Sequence, residues 1–129
     1  MTHKQYVGFG LTVLFLSGAL SIAQQRYPQT DIAHSRLIIS FNSPGNGIDY
    51  KAKKEIDGFI SSYEKEKGVP LAKEEIHWGK EGELDYCFKL SELAKEDQED
   101  FVSRIKSLVR KSKRTGIVEN APCRNKGPR

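Results

Sequence analysis

Cysteine is scarce in this chain, two residues in 129, and the pair is not arranged as CxxC. That excludes a disulfide-dense scaffold and argues against thiol–disulfide catalysis of the thioredoxin type. Five prolines, with no repeat, exclude collagen-like and low-complexity classes. There is no GxGxxG, no Walker spacing and no GxSxG, so the common nucleotide and serine-hydrolase signatures are missing. Charge is nearly balanced at 21 Lys+Arg against 17 Asp+Glu, and a net +4 forces no polyelectrolyte partner. Long apolar runs are also missing, with one exception at the start, so no multi-span membrane protein is encoded.

The exception is residues 7–23 (VGFGLTVLFLSGALSIA), 17 residues without a charge after a short polar start that carries Lys4. It ends in Ser21-Ile22-Ala23, a small-x-small triplet followed by Gln24. This is the three-part layout of a secretory signal peptide and places cleavage after Ala23. The competing reading is an uncleaved anchor. At roughly 1.5 Å per residue the run is at the lower limit for a ~30 Å hydrocarbon core, and three glycines dilute it. Contact with a membrane is expected only if the segment stays uncleaved. Residues 24–35 are polar and aperiodic and read as a tether. The expected location is secreted or periplasmic.

The rest reads as βαββαβ. In residues 36–43, Leu37, Ile39 and Phe41 alternate with Ile38, Ser40 and Asn42, as in a strand with two distinct faces. Residues 43–47 (SPGNG) break it, and Asp49 is a good N-cap for a helix. Ala52, Ile56, Phe59, Ile60 and Tyr63 form one apolar stripe, stopped by Gly68-Val69-Pro70. Two strands then flank residues 79–82. A three-residue loop with Gly82 in the left-handed region pairs Trp78 with Leu84 and Ile76 with Tyr86, whereas the alternative sets apolar residues against Glu83 and Asp85. The first register is therefore expected, with Glu75, His77, Asp85 and Cys87 on the outer face. A second helix starts between Ser91 and Lys95 and buries Phe101, Ile105 and Leu108; a last strand covers residues 116–120. Two crossover helices and four strands in this order imply a ferredoxin-like sandwich: an antiparallel sheet of order 4-1-3-2 over residues 36–123, helices on one face, and a basic tail over 124–129.

Four features bear on function. Exported surroundings allow a disulfide between Cys87 and Cys123, with a turn at Pro122 bringing the second cysteine back over the sheet. Ser43, Gly45, Asn46 and Gly47 precede a helix N-terminus, where free amides can hold an anion, although a plain strand-to-helix turn explains the same residues. Glu75, His77 and Asp85 on one face offer an imidazole and carboxylates for acid–base chemistry, but fall short of a metal site and read equally as a surface ion pair. The stretch 110–129 carries Arg110, Lys111, Lys113, Arg114, Arg124, Lys126 and Arg129 against Glu119 alone, a weak polyanion signal without interleaved aromatics. The outer face lacks the stacking aromatics of an RNA-recognition sheet, and no cofactor or metal is expected.

The fold itself carries no function. The balance favours a non-enzymatic exported module that binds a protein or an anionic envelope component. The alternatives are a small enzyme using the glycine loop for an anionic substrate and His77 or Asp85 as base, or a protease inhibitor. Over residues 36–120 the architecture resembles the propeptide-type inhibitors of subtilisin-like proteases, without a shared motif; that resemblance implies a tail after Glu119 that enters a protease cleft. Acylphosphatases have this architecture too, but their Arg-bearing phosphate loop has no counterpart here. Export has a direct check: intact mass of the exported protein should correspond to a chain starting at Gln24, and recovery of residues 7–23 in the membrane fraction would establish the anchor instead.

Overall fold

In the computed structural model, residues 34–125 are described. The segment read as a signal peptide, 1–23, residues 24–33 of the expected tether and residues 126–129 of the expected basic tail lie outside them. The element order is β1 (His34–Phe41), α1 (Tyr50–Lys67), β2 (Lys73–His77), β3 (Leu84–Phe88), α2 (Lys95–Val109) and β4 (Thr115–Pro122). The sheet is antiparallel, with order β2-β3-β1-β4, and the arrangement is α+β and ferredoxin-like. β1 begins inside the segment read as tether, because His34 and Ser35 pair with Pro122 and Ala121.

Local chemistry fixes the helices. Asp49 caps α1 by accepting from the Ala52 amide at 2.9 Å, and Gly68 ends it at φ 66°, a conformation that glycine adopts without strain. α2 lacks a side-chain cap, but Glu96 and Asp97 in its first turn match the helix dipole. The helix side of the sheet holds the main core. Leu37, Ile39 and Phe41 of β1 lie beside Leu84, Tyr86 and Phe88 of β3, under Ile56, Ile60, Tyr63, Phe101 and Ile105 from the helices. Phe59, Tyr63, Phe88 and Phe101 form a continuous aromatic cluster with centroid spacings of 5.1–5.6 Å. Tyr63 adds a hydroxyl bond to the Asp97 carbonyl at 2.8 Å and so ties α1 to the start of α2.

The register of β2 corrects the expectation. Ile76 pairs with Asp85, His77 with Leu84 and Glu75 with Tyr86; the Trp78 amide donates to the Glu83 carbonyl, closing a four-residue loop 79–82. Every β2 side chain is therefore on the face opposite to the one expected. The reason is that the outer face is covered around Ile38 and Ile76. The chain after β4 turns back across it, and Ile38, Ile76 and Cys87 form a second buried cluster with Ala121 and Cys123. Burying Ile76 there is worth about 1.5–3 kcal/mol, and its old place on the helix side is a sheet margin where Lys73, Glu75 and His77 are exposed. The acids that made this register look unfavourable are both satisfied. Glu83 accepts from the Glu81 amide at 2.8 Å and folds over Gly79, where a Cβ would overlap it. Asp85 accepts from Trp78 Nε1 and from Arg124.

The Cys87–Cys123 disulfide is formed, with Cα atoms 6.1 Å apart across 36 residues of sequence. Replacing Cys123 with Ser should lower unfolding free energy by about 2–4 kcal/mol, because the unfolded chain regains the freedom of that loop. Chemical denaturation of both forms measures it.

Candidate functional site

The glycine loop spends its donors on itself. Ser43 Oγ accepts from the amides of Gly45 at 3.1 Å and Gly47 at 2.9 Å, while its own hydroxyl donates to Glu81. The α1 N-terminus just beyond already holds the Asp49 carboxylate, whose second oxygen accepts from Ser112 at 2.8 Å. These bonds hold the Asp49 carboxyl below the usual aspartate range: the Ala52 amide contributes most, then the Ser112 hydroxyl, against a smaller opposing effect of burial. The loop is thus a closed turn, with the Gly45 and Gly47 amides bonded to Ser43 and Gly45 and Asn46 exposed at its tip.

The expected Glu75, His77 and Asp85 cluster does not assemble. The β2 register sends Glu75 and His77 to one face and Asp85 to the other. His77 and Glu75 lie 3.9 Å apart and are exposed. The side chain of Asp85 is only 4% exposed and is bracketed by Trp78 Nε1 at 3.1 Å and Arg124 Nε at 3.2 Å. The Arg124 guanidinium also covers the Trp78 ring at 4.4 Å from its centroid. Asp85 is therefore an anchor for the returning chain. Among the described residues no group of three or more His, Cys, Asp or Glu is placed to hold a metal ion. The tail that the propeptide-like reading would insert into a protease is held on the sheet as far as Arg124.

A cleft of about 260 Å³ between α1 and the β2–β3 margin gathers Lys53, Asp57, Lys73, Glu75 and Tyr86. Tyr86 donates to Asp57 at 2.9 Å, Lys53 contacts the other Asp57 oxygen at 2.8 Å, and Lys73 Nζ lies 3.9 Å above the Tyr86 ring and 2.8 Å from Glu75. Burial pushes the Tyr86 phenol up, and the Asp57 and Tyr86 contacts raise Lys53 despite burial acting against them. A phenol held protonated and an ammonium held charged are neither base nor nucleophile. The charges cancel pairwise, as in a structural ion cluster.

Unspent charge collects at another place. The loop after α2 is tied to the start of α1 by Ser112 to Asp49, by Arg114 to the Gly47 carbonyl at 3.2 Å, and by the Asn42 amide to the Arg114 carbonyl at 2.8 Å. This brings Arg110, Lys111 and Lys113 to the same end of the domain as Lys51 and Lys54 of α1. All five are exposed, and none forms an ion pair with a described residue. Tyr50, 65% exposed, opens α1 at this end; its ring packs over Gly47 and Gly82, where a Cβ would lie 3.8 Å from its Cε2 and 2.9 Å from its hydroxyl. Sequence reasoning found the basic stretch from Arg110 but missed Tyr50, Lys51 and Lys54, which are sixty residues away. The available signal was a first helical turn with lysines and no acid, opposite to what the dipole favours.

No family model, curated protein or solved structure matches the chain.

The bonds at Asp49 hold this end together, and Asp49→Ala should cost about 1–2 kcal/mol in thermal or denaturant unfolding. Because the folded carboxyl titrates below the unfolded one, its contribution is complete above the unfolded value near ~3.9 and is lost as pH falls through the folded one. The stability difference between wild type and Asp49→Ala should therefore shrink in acid and stay constant from pH 5 to 7.

Proposed function

We propose that this protein is an exported, non-enzymatic binding module that docks its basic end on a phosphate-bearing anionic component of the cell envelope. One observation carries the reading: five exposed cations that form no ion pair with a described residue share one end of the domain with an exposed tyrosine, and Lys51 lies in the first turn of α1, where the dipole disfavours positive charge. The Arg110–Lys113 cations alone need no function, since a helix C-terminus favours positive charge. Lys51 has no such local return. Export is supported by the charge-free segment before a small-x-small triplet, and the disulfide is compatible with an oxidising compartment. The non-enzymatic reading is supported by the closed glycine loop, the separation of His77 from Asp85 and the pairwise-neutralised Tyr86 cleft.

Each cation near an anionic surface contributes on the order of 1 kcal/mol, and the interaction falls as salt rises because screening shortens to ~8 Å at physiological ionic strength. Cosedimentation of the protein with phosphatidylglycerol-containing vesicles should show salt-sensitive binding, and phosphatidylcholine vesicles should show none. The Lys51→Gln, Lys54→Gln, Lys111→Gln, Lys113→Gln variant should bind about tenfold weaker or less well still while unfolding at an unchanged temperature. Competition by soluble polyphosphate separates a lipid headgroup from a phosphate polymer as the ligand. Equal binding by wild type and the fourfold variant would overturn the proposal.

A further inference from the structure

The outer sheet face holds a second device, independent of the basic end. The disulfide does not lie inside the main core. Cys87 and Cys123 both line an open cleft of about 340 Å³, together with Ser35, Ala72, Glu74 and Lys89. Cys87, in the third strand, is 5% exposed, whereas Cys123 is half-buried at the rim. A thiolate arriving from solvent thus meets Cys123 Sγ and leaves Cys87 as the departing sulfur. Lys89, just past the end of β3 and lining the same cleft as Cys87, is exposed and forms no ion pair with a described residue. Its positive charge favours a leaving thiolate, and the carboxylate of Glu74, opposite Cys87 in the ladder, opposes it.

Among the described residues, two contacts of Arg124 supplement the bond in holding the segment that crosses this face. Beyond Pro122, where the β1–β4 ladder ends, the segment is secured by the Arg124–Asp85 pair, with Arg124 51% exposed, and by the Arg124–Trp78 stack. The stack is worth roughly 1 kcal/mol, while the ion pair holds Arg124 to a buried carboxylate, since the Asp85 side chain is 4% exposed. Beneath it, Ile38 and Ile76 with Cys87 form a buried cluster against which Ala121 of β4 and Cys123 pack.

We infer that the Cys87–Cys123 disulfide is a thiol–disulfide exchange site, opened in the folded protein by a dithiol protein that attacks Cys123, and that its opening loosens the segment beyond Pro122 from the outer face, leaving it held by Arg124. In the first step the dithiol's thiolate bonds to Cys123 Sγ, the Cys87–Cys123 bond breaks, and Cys87 departs as a thiolate that takes up a proton. In the second step the partner's other thiol displaces Cys123 and closes the partner's own disulfide. Two electrons and two protons move from the dithiol to this chain. The reduced form then covers Ile38 and Ile76 less closely.

The test uses the intact oxidised protein under native conditions. Dithiothreitol should reduce the bond far faster than the protein unfolds globally, as followed by alkylation and mass. Hydrogen exchange should rise in residues 117–125 and 36–40 and stay unchanged in the two helices. Oxidised glutathione added to the reduced protein should give an adduct on Cys123. Lys89→Gln should slow native reduction by about threefold and Glu74→Gln should speed it similarly. Reduction that proceeds only at the rate of global unfolding, adducts formed on Cys87, or reduction with no rise in exchange over 117–125 would each overturn the inference. Because none of these readouts involves the basic end, failure here leaves the envelope-binding proposal standing, and the reverse also holds.

Discussion

The covalent link between β3 and the segment beyond β4 lets this sheet be apolar on both sides. An open-faced α+β sandwich buries one surface under its helices and leaves the other to water, which requires polar residues there. Here the bond pins residues 121–125 across the second surface, and three things follow from that. Ile76 gains a buried site away from the helices, which sets the β2 register. Asp85 loses its water and needs Trp78 and Arg124 in compensation. Glu75 and His77, turned to the other face, no longer share a surface with Asp85. The candidate catalytic cluster was thus removed by a disulfide more than by anything in its own three residues.

That dependence also explains which parts of the structure were legible in the sequence. The alternation in β1 and β3, the apolar stripes of both helices, the Asp49 cap and the pairing of the two cysteines are readable because each is decided within a few residues, or by elimination between two. The β2 register is decided by residues 121–124, forty-five positions later, which cover the outer face where Ile76 lies, and nothing in the turn itself signals that cover. The loop at residues 43–47 was equally ambiguous: glycines before a helix suggest free amides, and only the position of the Ser43 hydroxyl shows that those of Gly45 and Gly47 are taken. The basic end was half visible, since the cations after α2 are contiguous while Tyr50, Lys51 and Lys54 reach them only through the Asp49–Ser112 and Gly47–Arg114 bonds.

The two ends of the domain differ in how they use charge. At the α2 N-terminus and α1 C-terminus, acids and bases are matched: Lys67 with Asp97 at 2.7 Å and Arg104 with Glu66 and Asp100. These pairs agree with both helix dipoles and contribute to stability without implying a ligand. At the other end the cations are unmatched, and on α1 Lys51 opposes the dipole. The contrast within one small sheet-and-helix unit is a stronger argument than the net charge of the chain, which is dominated by charges that cancel.

β1 and β4 are antiparallel neighbours, and His34 faces Pro122, so β1 starts and β4 finishes at the same end of the ladder. Phe41 and Thr115 mark the far end of that ladder, about 23 Å away at strand spacing. Tension applied between the two ends therefore acts as a zipper pull, loading one ladder bond at a time from His34 onward. With the disulfide closed, the pull on the C-terminal side is shared through Cys123 with Cys87 on β3, so β4 cannot be peeled away alone. With it open, the load falls on the β1–β4 ladder, and the mechanical strength of the domain comes to depend on the oxidation state of two sulfur atoms.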